Sequence, residues 1–239
     1  MRTRTDLIAD GIYRFSTFLD SANLVFNQFL IDAAEPLLFH CGPRSLFSNV
    51  LDAVARIRPV SELRWISFGH VEADECGAMN HWLAAAPRAR VAFGALGCAV
   101  SVNDLADRLP RPLENDELLD LGGKRVRYVA TPHVPHGWDA GLLFEEATRT
   151  LLCGDLFTQQ GHGSPISMND PVGPALQAED LFRFTAIHSN TAQTIHRLAM
   201  LAPLTLAPMH GPAFKGDCAT ALHALADGYA ARLMSAGKP

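Results

Sequence analysis

Four short segments of this sequence place a histidine or an aspartate just beyond an apolar run, the arrangement that metal chemistry requires. The first is Phe68-Gly69-His70-Val71-Glu72-Ala73-Asp74-Glu75-Cys76-Gly77, which follows the apolar stretch Trp65 to Phe68. The second, Thr131-Pro132-His133-Val134-Pro135-His136-Gly137-Trp138-Asp139, follows Lys124 to Ala130. The third is Leu151-Leu152-Cys153-Gly154-Asp155, and the fourth is Leu206-Ala207-Pro208-Met209-His210-Gly211-Pro212. In an extended chain, residues two apart share a side. His70, Glu72 and Asp74 are therefore expected to project together from a strand end. A polar loop would explain the first segment taken alone. Four such strand ends in one chain point instead to bound metal.

The elements that must position these residues are legible around them. Strands are expected over Gly11 to Phe18, Asn23 to Ile31, Glu35 to His40, Leu63 to Phe68 and Arg90 to Phe93. Helices are expected over Ser45 to Ile57, Gly77 to Ala86 and Ser101 to Leu109. The second half repeats this rhythm with strands at Glu117 to Leu121, Lys124 to Ala130, Gly141 to Glu145 and Thr150 to Cys153. Gly122-Gly123 supplies a hairpin turn. A long helix over Asp180 to Leu201, a strand at Thr205 to Ala207 and a helix over Thr220 to Met234 follow. Two halves of this kind, facing each other, make an α/β protein with two sheets covered on their outer sides by helices.

The 239 residues carry a formal charge of −5 and 48% hydrophobic content. No basic surface for nucleic acid is indicated, and no apolar window approaches a membrane span. Met1 to Asp10 lacks the apolar stretch of a signal peptide. Five cysteines, an odd number with no C-x-x-C pair, fit a reducing cytoplasm. No G-x-S-x-G elbow and no phosphate loop occurs.

The four segments resemble the metallo-β-lactamase superfamily. Within it they are most similar to the di-iron domain of flavodiiron proteins and to related oxygen-binding di-iron proteins. Hydrolases of the superfamily carry H-x-H-x-D-H in the first segment. Here the pattern is H-x-E-x-D, with Glu72 where the second histidine would stand. That glutamate marks the di-iron branch, as do the eighteen residues between His136 and Asp155. The resemblance implies a four-layer αββα sandwich spanning residues 1–239 as one domain. It implies two metal ions, iron before zinc or manganese, and O2 or NO as ligand. His70, Glu72 and His136 would hold one ion, Asp74 and His210 the other, and Asp155 would bridge. The spacing to Asp155 favours His136 over its neighbour His133, which then serves as a partner behind the ligands.

The chain departs from the pattern at Glu75, where the family usually has a histidine. Glu75 is expected to ligate the second ion, to hold a water there, or to face solvent. No flavodoxin domain or FMN site is seen, so electrons are expected from a separate donor protein. Pairing into a homodimer is a further implication of the resemblance. Three functions follow: a partner-fed di-iron oxidoreductase, a non-enzymatic oxygen-binding or sensing module, and, as the rival class, a metal-dependent hydrolase. His162 is read as a surface loop or a lid. His81 is read as structural, and His40, His188, His196 and His223 as ordinary. Cys76 and Cys153 are read as buried thiols with redox sensitivity as the alternative, and Trp138 and Phe157 as pocket lining or core.

Overall fold

A computed structural model describes residues 2–236; the expected domain 1–239 exceeds this only at Met1 and 237–239. Fourteen strands form two seven-stranded sheets among the described residues. The first sheet follows chain order: β1 (Arg4–Ala9), β2 (Ile12–Leu19), β3 (Leu24–Ile31), β4 (Leu37–Phe39), β5 (Trp65–Ser67), β6 (Arg90–Gly94) and β7 (Arg111–Leu113). Its first four strands are antiparallel neighbours, and β4 to β7 are parallel. The second sheet contains β8 (Leu118–Asp120), β9 (Arg125–Ala130), β10 (Gly141–Glu145), β11 (Thr150–Leu152), β12 (Ile166–Ser167), β13 (Thr205–Ala207) and β14 (Ala213–Phe214). Its spatial order is β12-β14-β13-β11-β10-β9-β8.

Alternation along the strands builds the layers. Phe29, Leu37, Phe39, Trp65 and Ala92 point from the first sheet into a core shared with Leu143, Leu152 and Ala207 of the second. Their sequence neighbours Leu30, Leu38, Ile66, Val91 and Phe93 point the other way. There they meet α1 (Phe47–Ala55) and α3 (Met79–Ala85), which lies beyond the single turn α2 (Ala73–Cys76). Trp82 of α3 is fully buried in this layer and donates its indole N–H to the Cys41 carbonyl at 2.9 Å. On the far side, Leu142, Phe144, Leu151 and Leu206 pack against α6 (Val172–Phe182), α7 (Thr191–Ala199) and α8 (Cys218–Ala236). A further helical run consists of α4 (Ala95–Gly97), a π turn at Cys98–Val102 and α5 (Asn103–Leu105). The result is helix, sheet, sheet, helix, as the patterning predicts.

Two expectations change, and one strand is added. The helix expected over Asp180 to Leu201 is two helices: α6 ends where Arg183 enters the left-handed region (φ 52°), and α7 starts at Thr191. The helix expected over Ser101 to Leu109 lies earlier and ends at Leu105. The N-terminal ten residues hold a strand, β1, which is bulged between Leu7 and Ala9. No helix among the described residues is long and apolar enough to cross a membrane.

Candidate metal centre

Sheet direction decides where the candidate ligands emerge. β9 is antiparallel to β10, β10 is antiparallel to β11, and β11 is parallel to β13. The C-terminal ends of β9, β11 and β13 therefore share one edge, and the segments leaving them carry His136, Asp155 and His210. On the first sheet, β5 ends at Ser67 and leads into His70, Glu72 and Asp74. The facing edges bring all six residues together.

They form two groups that share Asp155. In the first, one nitrogen or oxygen from each of His70, Glu72, His136 and Asp155 lies within 4.8 Å of the others. In the second, the same holds for Asp74, Asp155 and His210. His70 Nε2 lies 2.7 Å from Glu72 Oε2. His136 Nε2 lies 2.9 Å from Asp155 Oδ2 and 3.2 Å from Glu72 Oε2. His210 Nε2 lies 3.2 Å from Asp74 Oδ2 and 3.5 Å from Asp155 Oδ1. Asp155 thus turns one oxygen to each group.

The extended-chain expectation for the first segment is corrected here. Glu72 is extended, but Asp74 lies in the first turn of α2. The helical turn swings Asp74 away from His70 and Glu72 and toward His210, so one short segment serves both groups.

Burial opposes a charge on His70, yet Glu75, then Glu72 and Asp155, outweigh it and lift the imidazole to about 11. Burial likewise opposes charge on His136 and His210, and their carboxylate partners again prevail. Burial also favours a neutral Asp155, but His136, His210 and His70 hold its carboxyl far below the usual carboxylate range. The carboxylates thus favour positive charge among the three imidazoles. Two buried oxygens of this cage, Asp74 Oδ1 and Asp155 Oδ1, have no hydrogen-bond partner among the described residues. Buried oxygens of this kind are what a metal ion would satisfy. The donor set is three carboxylates, Glu72, Asp74 and Asp155, and three imidazoles, His70, His136 and His210. The residues present therefore fit a pair of metal ions.

Outer contacts hold the candidate ligands. His210 donates Nδ1–H to the Val25 carbonyl at 2.8 Å, which leaves Nε2 facing Asp74 and Asp155. The loop carrying His210 is clamped from the first sheet. Asn27 Nδ2 donates to the carbonyls of Pro208 and Gly211, at 2.9 and 2.8 Å, and Arg14 donates to Gly211 at 2.9 Å. Glu75 neither joins the second group nor faces solvent: it is fully buried and lies behind His70, with Oε1 3.2 Å from Nδ1.

A cavity of about 180 Å³ opens over the two groups, lined by Leu24, Thr158, Phe182 and Phe184. The Phe184 ring stands 5.6 Å from that of His136. Sequence reasoning missed these aromatics, together with Asn27 and Arg14. The signal for the last two was a polar residue inside a strand of otherwise apolar pattern. His133 joins neither group; it is exposed and packs edge-on against His188 at 5.6 Å. His162 packs edge-on against Phe18. Phe157 is core, and Trp138 lines a separate cleft with Leu96 and Tyr128. Cys153 is fully buried, and burial raises the half-buried Cys76 thiol to about 12, so neither is an activated nucleophile.

A family model described as "ODP family beta lactamase" matches residues 24–211. The chain is 27% identical over 201 residues to a putative diflavin flavoprotein A 1 of Thermosynechococcus vestitus, covering 78% of this chain and 34% of the relative. It is 25% identical over 213 residues to a type A flavoprotein of Rhodobacter capsulatus, covering 84% of this chain and 48% of the relative. It thus spans a third to a half of the curated relatives it matches. Among solved structures, rubredoxin oxygen:oxidoreductase from Desulfovibrio gigas superposes with a TM-score of 0.81 at 19% identity, over 94% of this chain and 61% of that one. A fragment, residues 1–254, of a putative diflavin flavoprotein A 5 from Nostoc also gives 0.81, at 15% identity and 99% coverage of both chains.

Proposed function

The chain belongs to the ODP family of beta lactamase domains, and on that premise we propose that it holds two iron ions and binds or reduces O2 or NO. The observation that carries this reading is the composition of the cage. Three carboxylates and three imidazoles, with a shared carboxylate between the groups, make an oxygen-rich shell. Such a shell suits iron or manganese, whereas hydrolytic zinc sites are typically richer in nitrogen. His70, Glu72 and His136 would hold one ion, Asp74 and His210 the other, and Asp155 would bridge them.

When bound, the ions supply the redox and Lewis-acid chemistry for a diatomic ligand. The chain's own residues supply the rest. Asp155 sets the spacing of the two groups through its two oxygens. The Thr158 hydroxyl donates to the Asp155 carbonyl at 2.7 Å and fixes the loop that carries the bridge. Leu24, Phe182 and Phe184 line the approach with apolar side chains. At about 180 Å³ the cavity is smaller than the roughly 300–1,000 Å³ of a drug-sized site, which suits a diatomic ligand better than a lactam or thioester. Likeness to a structure named rubredoxin oxygen:oxidoreductase supports oxygen as ligand. A separate redox protein would supply the electrons, and two copies of the chain would pair.

Anaerobic purification followed by elemental analysis and admission of O2 tests the proposal. Two irons per chain, one for each ligand group, and an O2-dependent absorption change are expected. Zinc, with no response to O2 and with ester or thioester hydrolysis that chelators abolish, would overturn it.

A further inference from the structure

Behind His70 lies a buried polar string that the dimetal reading leaves unexplained. Resting on that reading, we propose that Glu75 is the positioning residue of the first ligand group, and that His40 supports it from behind. Glu75 Oε1 pairs with Nδ1 of His70 at 3.2 Å and so turns Nε2 toward Glu72, His136 and Asp155.

Three sets of observations carry this. First, the fully buried carboxylate has one oxygen held by hydrogen bonds, and the other, without a hydrogen-bond partner among the described residues, stands against two imidazoles. Oε2 accepts the backbone N–H groups of Gly69 and His70, the latter at 2.8 Å, and Oε1 lies 3.2 Å from His70 Nδ1. No Lys or Arg pairs with Glu75 among the described residues, so its partners are imidazoles and backbone amides. Second, the neighbouring chain makes room for it. A Cβ at Gly69 would stand 2.8 Å from Oε2, and one at Gly154 would stand 3.4 Å from Oε1. These two glycines adjoin His70 and Asp155. Third, His40 closes the string. Its Nε2 lies 3.6 Å from Glu75 Oε1, and its Nδ1 donates to the Asn27 carbonyl at 3.2 Å. His40 is fully buried and adopts φ 67°, a strained conformation for a histidine, while its ring packs 4.2 Å from that of Phe39. A carboxylate that merely filled space here would be costly to bury. One that orients a ligand imidazole has a reason to stay, and outer partners of this kind typically alter metal affinity about 10–100-fold.

The test is Co(II) titrated into the metal-free chain, followed by visible absorption and chelator competition. Glu75→Gln keeps the shape and one acceptor oxygen but presents an N–H toward Nδ1. Affinity at the first group should fall about 10–100-fold with a changed Co(II) spectrum, while the second group stays as in wild type. His40→Phe, isosteric beside Phe39, should weaken the same group by a smaller factor, and it carries the test if E75Q does not fold. Val50→Ala, a buried site in the outer helix layer, should lower the melting temperature without changing affinity or spectrum. E75Q with wild-type affinity and spectrum overturns the proposal. So does V50A weakening the metal as much as E75Q does. A wild-type chain that takes up no Co(II) overturns the dimetal reading itself, and the positioning role with it.

Discussion

Asp155→Asn separates a bridging carboxylate from one that serves a single ion. The side chain turns Oδ2 toward His136 at 2.9 Å and His70 at 3.9 Å, and Oδ1 toward His210 at 3.5 Å. The amide has the same shape, so the backbone can keep its course. What is lost is one negative charge shared by two ligand groups. Three of the four donors remain in the first group and two of the three in the second. Removing one partner of a buried charge pair costs about 3–5 kcal/mol. At about 1.4 kcal/mol per factor of ten, that is a hundredfold to a few thousandfold in affinity. Because both oxygens are engaged, the loss should fall on both ions together. Elemental analysis after gel filtration should find D155N nearly metal-free where wild type carries two ions. The metal-free melting temperature should confirm that the variant is folded. Full loading of D155N would refute the bridge, and loss of one ion alone would show that Asp155 belongs to one group.

Glu72→Gln touches only the first group, so one ion per chain should remain, as elemental analysis would show. Asn27→Asp replaces the amide N–H that holds Pro208 and Gly211 with an oxygen facing two carbonyls. It should cost at least about 2 kcal/mol of stability and release the ion beside His210 first, measured by thermal melts and metal titration. Chelation of the wild type should lower its melting temperature by about 11–22 °C if free metal had stood near a hundred times Kd for both ions. Binding at that concentration is worth about 2.7 kcal/mol per ion, about 5.4 kcal/mol for two, and a chain of this size shifts about 2–4 °C per kcal/mol. Phe184→Ala should widen the mouth above His136. A phenyl-bearing hydroxamate should then bind the metal-loaded variant and not the wild type, with azide binding unchanged in both.

Much of the fold was legible because burial on both faces leaves strong marks. β3, β4, β5 and β11 are runs of apolar residues that feed two layers in alternation, and such runs survive any uncertainty about partners. The misreadings have physical reasons. β1 carries Arg4, Thr5 and Asp6 and buries only Ile8, so its pattern is too polar to read as a strand. β7, β12 and β14 are two or three residues long, and their pairing is set by neighbours distant in sequence. α6 begins with Val172-Gly173-Pro174, which reads as a loop. Pro174 is tolerated there because the first turn of a helix has no use for its N–H. The break at Arg183 has neither glycine nor proline to announce it.

The site divides along the same line. A candidate ligand placed three to seven residues past an apolar strand is a local feature, and one sequence is enough to display it. The surroundings of such a ligand are not local. Glu75 follows Asp74 directly, yet nothing in its neighbourhood says that it faces inward. That depends on His40 from the end of β4, on room left by Gly69 and Gly154, and on the carbonyl of Asn27. Phe182, at the end of α6, and Phe184, in the connection to α7, reach the cavity from about thirty residues past Asp155. Sequence therefore carries the identity of a metal cage better than its tuning. Where the usual histidine gives way to Glu75, the substitution reads as a missing ligand until the packing shows the carboxylate behind His70. An exchange at a ligand-adjacent position should accordingly be judged by the side of the imidazole it reaches. One facing Nε2 changes how many donors the metal has, and one facing Nδ1 changes how well an existing donor is aimed.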